Sequence, residues 1–406
     1  MSILNELLLA DSWEAFYSYK QKNTGEEHLK ELRAFIDQED YRSVVESMLL
    51  SKPFTPPEKI LISKKGSNKK RTVYSYNAEE NMVLKLLTHL MIRKYDHLFS
   101  DNLYSFRAGR GVKDAIWHMT HGKHVKESYT YKLDISNYFN SVDLSLLLPM
   151  LSNILKDDPL LLSFLVNLLT NPLVLDKGKL IEEKDKGIMA GTPISVFLAN
   201  LYLKDLDAFF FEKEIPYARY SDDILVMAKD EASILDHQKI ILDTLKKKHL
   251  LVNESKECMT KPGEAFTFLG VSCKNGTIDV APISVNKLKA KIRRKTRALK
   301  RRKERRHLDG TYAAGQLIKT FNKKLFDNPM DHELTWTRWY FPLITRPNSL
   351  AEIDAYMQDS IRFLASGTRS KSRYHFRYED MKTLGYVSLV HEYYKFKEEK
   401  KKEKEN

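Results

Sequence analysis

The chain has 406 residues, too many for one small core, and 42% of them are hydrophobic, an ordinary share for a globular protein. Its formal net charge is +13, which favours nucleic acid or an anionic membrane as partner. Two cysteines, Cys258 and Cys273, offer neither a disulfide framework nor zinc-ligand spacing, so a reducing cytoplasm fits.

Taken in chain order, "MSILNELLLADSWEAF" carries Glu6 and Asp11 early and reads as an amphipathic helix, not a signal peptide. Residues 1–50 as a whole read as a helical N-terminal extension. Residues 51–76 hold three prolines and then two short strands, "KILIS" and "RTVYSY", joined by a basic turn at Lys64 to Lys70. Helical periodicity returns over 78–98. "YTYKLDISNYF", 129–139, opens as a strand, and 145–170 look helical. The uncharged stretch 159–175 is broken by Pro172 and contains Asn167 and Asn171, so a buried helix and turn are expected, with no membrane span. "LVLDKGKLIEE" reads as a hairpin turning at Lys177-Gly178. A helix is expected from Thr192, with Thr192 as N-cap and Pro193 at the first helical position, running to Phe211. "YARYSDDILVMAK" reads as two strands meeting at a tight turn, followed by a helix over about 231–249. Residues 286–306 hold 13 Lys or Arg among 21 residues, with Leu288, Ile292 and Leu299 as a thin apolar side. That many like charges call for an anion, so RNA or duplex backbone contact is expected there. "TWTRWYF", with Trp336, Trp339, Tyr340 and Phe341, offers either a stacking surface or helix-packing core. The tail 398–406 is charged and expected to fray.

Asp222 and Asp223 stand side by side at the head of an apolar run, where burial and mutual repulsion are costly without positive charge nearby. Asp134 ends another apolar strand. If these strands are neighbours, Asp134 and Asp222 can hold two magnesium ions roughly 3.5–4 Å apart, the spacing used for in-line phosphoryl displacement. Oxygen-only ligands suit magnesium, with manganese as the alternative. The histidines 118, 121 and 124 fall at helical spacing and read as a solvated face.

Seven segments, in order, resemble the motifs of reverse transcriptases of the bacterial, group II intron-like lineage. These are "LISKKGSNKKRTV", "YSFRAGRGVKDAI", "DISNYF", "AGTPISVFLANLYL", "YSDD", "LVNESKECMT" and "FTFLG". The resemblance covers about residues 50–285. It implies an α+β, right-hand polymerase fold, with fingers over 51–133, palm over 134–285 and a basic α-helical thumb over 286–397. It implies a catalytic set of Asp134, Asp222, Asp223 and Lys256, the lysine as proton donor to pyrophosphate. The metal ligands would be Asp134, Asp222 and the Ile135 carbonyl. Lys64 and Arg71 would reach the triphosphate, Phe139 would act as steric gate against ribonucleotides, and Gly191 and Ser195 would floor the templating base pair. Phe268, Leu269 and Gly270 would grip the primer. Arg107 and Arg110, together with Arg293, Arg294, Arg297, Arg301 and Arg302, would bind template or structured RNA. Ala190 stands where the family pattern has Gln, and Val196 where it has Pro.

The wording of 384–397, "LGYVSLVHEYYKFK", and of "AGTPISVFLANLYL" is most similar to defence-associated, antiphage reverse transcriptases of the "unknown group" class. That resemblance implies a partner non-coding RNA as template or scaffold, a DNA product, dNTP substrates, and no membrane. Homo-oligomerisation stays open. The alternatives are an intron- or retron-type mobile-element enzyme, a template-independent DNA polymerase, and a catalytically idle RNA-binding scaffold.

Overall fold

A computed structural model of the chain describes residues 2–22, 24–63, 70–326 and 335–405. The chain divides into two compact units, Met1–Pro262 and Gly263–Asn406. The short strands after Gly263 form their own sheet within the second unit.

The first unit opens with helices Ile3–Glu6, Ala10–Gln21, Glu26–Asp37 and Tyr41–Leu49. Trp13 pins them together. It is fully buried, stacks on Tyr41 at 4.9 Å between ring centroids, and donates its indole N–H to the Leu7 carbonyl at 2.9 Å. Helix Ala78–Lys94 starts where Asn77 accepts from the Glu80 N–H and ends on Arg93 and Lys94, charges that suit the helix dipole at that end.

The strands are β1 (Glu58–Ser63), β2 (Lys70–Ser75), β3 (Tyr129–Asp134), β4 (Leu173–Asp176), β5 (Lys179–Glu182), β6 (Tyr217–Tyr220), β7 (Asp223–Ala228), β8 (Cys258–Thr260), β9 (Phe266–Phe268), β10 (Val271–Lys274) and β11 (Thr277–Val280). They form sheets in the orders β2-β1-β4-β5, β6-β7-β3-β8 and β11-β10-β9. The second is antiparallel throughout and positions the site. Its central strand β7 is buried on both faces: Ile224, Leu225, Val226 and Met227 are all fully buried, which explains a continuous apolar run where a one-sided strand would alternate. Helix Glu231–Lys247 packs on β3 and β7, and helices Val112–Thr120 and Lys204–Glu212 pack on β6. The architecture is the mixed α+β, antiparallel-sheet arrangement of a right-hand polymerase.

One expected helix is divided. The stretch from Thr192 to Phe211 forms Ser195–Tyr202 and Lys204–Glu212, joined at Leu203. Thr192 does not cap it; its hydroxyl donates to the Met189 carbonyl at 2.9 Å, in a turn that precedes the helix. The break leaves Asp207 facing β6, where it meets Arg219.

In the second unit the basic helix Pro282–Arg306 buries Val285, Leu288, Ile292, Thr296 and Leu299 against helices Gly310–Leu325 and Asn348–Ser366. Tyr340 and Phe341 are core residues, while Trp336 and Trp339 are half-buried. Helix Leu389–Glu405 runs through the charged tail, with a Lys400–Glu403 pair at 2.6 Å one turn apart. Buried Asp354 fixes this helix, accepting from Tyr386, Ser388 and the N–H groups of Leu389 and Val390 at 2.7–3.0 Å. Replacing Asp354 with Ala leaves those donors without their acceptor, and we expect urea denaturation to show a loss of about 3 kcal/mol; an unchanged midpoint contradicts this account.

Candidate active site

The β3–β7 register sets Asp134 opposite Asp223. Between β6 and β7 the chain turns at Ser221, whose φ of 60° lies in the left-handed region, and presents Asp222. The Asp222 carbonyl accepts the Ile135 N–H at 2.9 Å, which ties the turn to the end of β3. As a result one carboxylate oxygen from each of Asp134, Asp222 and Asp223 lies within 4.8 Å of the others.

Three such groups repel. Burial, then the charges of Asp134 and Asp223, push the Asp222 pKa up to about 6, with Lys256 opposing. Asp223 is also raised, by burial first; the Lys132 ammonium, 3.6 Å away, opposes this and Asp134 adds to it. Asp134, 4% exposed, accepts from the Asn253 amide at 3.1 Å and the Lys256 ammonium at 2.5 Å. Burial alone would lower the Lys256 pKa; its bond to Asp134 and the surrounding carboxylates raise it instead, so this lysine is held protonated. Lys132, Asn253 and the backbone therefore supply the immediate supports of the triad. Sequence reading missed Lys132, although a lysine two residues before Asp134 in an apolar strand points to the same sheet face.

Behind the turn lies a buried ion pair. Arg219, 0% exposed, binds Asp207 through Nε at 2.8 Å and Nη2 at 2.5 Å. The same guanidinium reaches the carbonyls of Asn200 at 3.2 Å and Ser221 at 3.4 Å, and Tyr217 donates to Asp207 at 2.9 Å. Every strong group in this network has a partner, the condition under which a buried charge is tolerated.

The family model for "Reverse transcriptase (RNA-dependent DNA polymerase)" matches residues 62–273. The chain belongs to the reverse transcriptase family. No curated protein matches it in sequence. Among solved structures it is similar to apo telomerase from Candida tropicalis truncated from its C-terminal domain, at 15% identity, TM-score 0.44, covering 56% of each chain. It is similar to apo telomerase from Candida tropicalis, at 13% identity, TM-score 0.47, covering 79% of this chain and 59% of that one. Telomerase from Candida albicans in complex with a TWJ fragment of telomeric RNA gives 12% identity, TM-score 0.44, and covers 86% of this chain and 66% of that one. The chain thus spans less than two thirds of the length of these telomerases.

The reverse transcriptase motifs fall as follows. Phe139 is half-buried in helix Tyr138–Ser141, and its carbonyl accepts the Ile188 N–H at 2.9 Å. Gly191 has φ +105°, and a Cβ there would sit 2.9 Å from the Tyr74 carbonyl, so the loop's close approach to β2 requires glycine. Ala190 is buried, its carbonyl accepting from the Tyr74 N–H and its N–H donating to Asn140, both at 2.7 Å. Arg71 is exposed on β2, while Lys64 lies outside the described residues. Phe268, Leu269 and Gly270 form the turn from β9 to β10 in the second unit, with Phe268 buried and the other two at positive φ. Arg293, Arg294, Arg297, Arg301 and Arg302 are exposed along the basic helix.

Two of the expected site residues are buried and bonded within the chain. Ser195 is 1% exposed and its hydroxyl donates to the Thr192 carbonyl at 2.6 Å, so it braces the helix start. Arg107 is buried and paired with Asp96 at 2.7 and 3.0 Å, with a further bond to the Ser100 carbonyl, so it braces its own loop. Arg110 pairs with Asp101 at 2.6 Å but remains partly exposed.

The donor set is oxygen-only and short of positive charge, which fits a hard divalent cation. The Asp222 pKa is above its unfolded value of 3.8, so folded-state stability is lost as pH rises through about 6 and the full cost is present at neutral pH. Asp222→Asn should remove a cost on the order of 2 kcal/mol and raise the Tm of the metal-free protein by roughly 5 °C. Millimolar magnesium should raise the wild-type Tm more than that of the variant. Equal responses to magnesium would contradict the assignment.

Proposed function

We propose that this reverse transcriptase copies RNA into DNA, and that the convergence of Asp134, Asp222 and Asp223 carries the reading. Asp134, Asp222 and the Ile135 carbonyl would hold the divalent cations, magnesium first and manganese as the alternative. Such ions, when bound, lower the charge on the reacting phosphate and align the displacement. The chain's own groups do the rest. The paired strand ends and the Arg219 brace hold the carboxylates in place before substrate arrives, so little reorganisation is needed. The primer 3′-oxygen forms a bond to the α-phosphorus of a dNTP as the bond to pyrophosphate breaks. Lys256, held protonated, would donate to that leaving group. Arg71 and Lys64 would contact the triphosphate, and Phe139 would crowd a ribose 2′-hydroxyl.

The exposed arginines at 293, 294, 297, 301 and 302 support contact with an RNA backbone. For the finer role, we propose synthesis of complementary DNA from a partner non-coding RNA in antiphage defence, within the group II intron-like lineage. The wording of residues 384–397 and 190–203 supports this, and so does the basic helix. No helix among the described residues is long and apolar enough to cross a membrane.

Primer extension with dNTPs on an RNA template tests the activity. The double variant Asp222→Ala, Asp223→Ala should lose at least roughly a hundredfold in rate; undiminished extension would rule the triad out. In the same assay Phe139→Ala should relax discrimination against ribonucleotides by roughly tenfold, whereas unchanged selectivity removes Phe139 as gate.

A further inference from the structure

The stretch "YSFRAGRG" is tied down on both sides of its phenylalanine. Residues 102–104 run beside β6. The Arg219 N–H donates to the Asn102 carbonyl at 3.1 Å, and the Tyr104 N–H donates to the Arg219 carbonyl at 3.0 Å. Fully buried Ser105 exchanges two bonds with Asn200: its hydroxyl donates to Oδ1 at 2.9 Å, and its carbonyl accepts from Nδ2 at 2.8 Å. On the other side, Arg107 is locked to Asp96.

Phe106 sits between these two anchored residues with φ +58°, a left-handed conformation that a phenylalanine adopts only when its surroundings impose it. The residue is nonetheless 37% exposed. Its ring lies 6.1 Å from that of Tyr220, centroid to centroid, inclined at 40°. Tyr220 stands two residues before Asp222. The backbone is therefore strained and doubly braced to deliver an apolar ring into solvent beside the catalytic turn, while the arginine next to it is spent on the brace. Core packing explains neither the exposure nor the strain. A ligand with flat apolar faces does, and nucleic-acid bases and sugars have them.

We infer that Phe106 contacts the substrate: its ring and that of Tyr220 make one aromatic surface that packs against the primer end of an RNA–DNA hybrid. The inference rests on the polymerase reading above. Arg107, Ser105 and Asn200 then act as positioning residues for that surface.

The test uses the full chain with poly(rA) primed by oligo(dT), and dTTP. Phe106→Ala should raise the KM for the hybrid roughly tenfold, the loss expected for one stacking or packing contact, with kcat within about twofold of wild type. Phe106→Tyr should restore the KM. A merely structural prop for the turn would lower kcat at unchanged KM, and that result, or no change at all, overturns the inference. Binding of the same fluorescein-labelled hybrid without dTTP, followed by anisotropy, separates the two readings. If wild-type protein binds the hybrid but extends nothing, the polymerase reading fails while a tenfold weaker Kd for Phe106→Ala upholds the contact. If Phe106→Ala binds as tightly as wild type, or wild type does not bind, the contact is overturned whatever the activity.

Discussion

Holding three carboxylates within 4.8 Å of one another is an electrostatic strain that no single local element can sustain. Strand pairing imposes it. The β3–β7 register sets Asp134 opposite Asp223, and the Ile135–Asp222 backbone bond closes the turn onto the strand end. Hydrogen bonds of the main chain thus position charges that would otherwise separate. Lys256 and Lys132 offset part of the repulsion, and the Asp222 pKa is raised first by burial and then by the charges of Asp134 and Asp223. A site with that residual deficit of positive charge is one prepared for divalent cations.

The same constraint explains the investment behind the turn. A left-handed Ser221 and a half-buried Asp222 would relax if the turn could move. The Arg219–Asp207 pair prevents this by holding the Ser221 and Asn200 carbonyls from the protein side. Through Asn200 and Ser105 the brace reaches the 102–107 arm, and through Asp207 it reaches the helix that breaks at Leu203. A buried pair of this kind adds little net stability when compared with apolar packing. Its contribution here is to fix one geometry at the site.

Much of the site was legible in the sequence because its signals are local. Asp134 at a strand end, the Asp222-Asp223 turn, the 177–178 hairpin and the basic helix can each be read from a short window. What was not legible depends on tertiary partners. Arg107 reads as a template or RNA contact; in the fold Asp96, eleven residues earlier, takes its guanidinium in an ion pair. The Thr192 helix followed propensity and capping rules, but Leu203 interrupts it so that Asp207 can meet Arg219. Lys132 was detectable in principle, as a charge out of place in an apolar strand.

The central claim is that Asp134 and Asp222 share divalent cations. Anomalous scattering from crystals grown with manganese tests it most directly. The account predicts manganese peaks bridging the carboxylates of Asp134 and Asp222, with Lys256 displaced from its direct contact with Asp134. Fully occupied manganese elsewhere and none between these two carboxylates would contradict it.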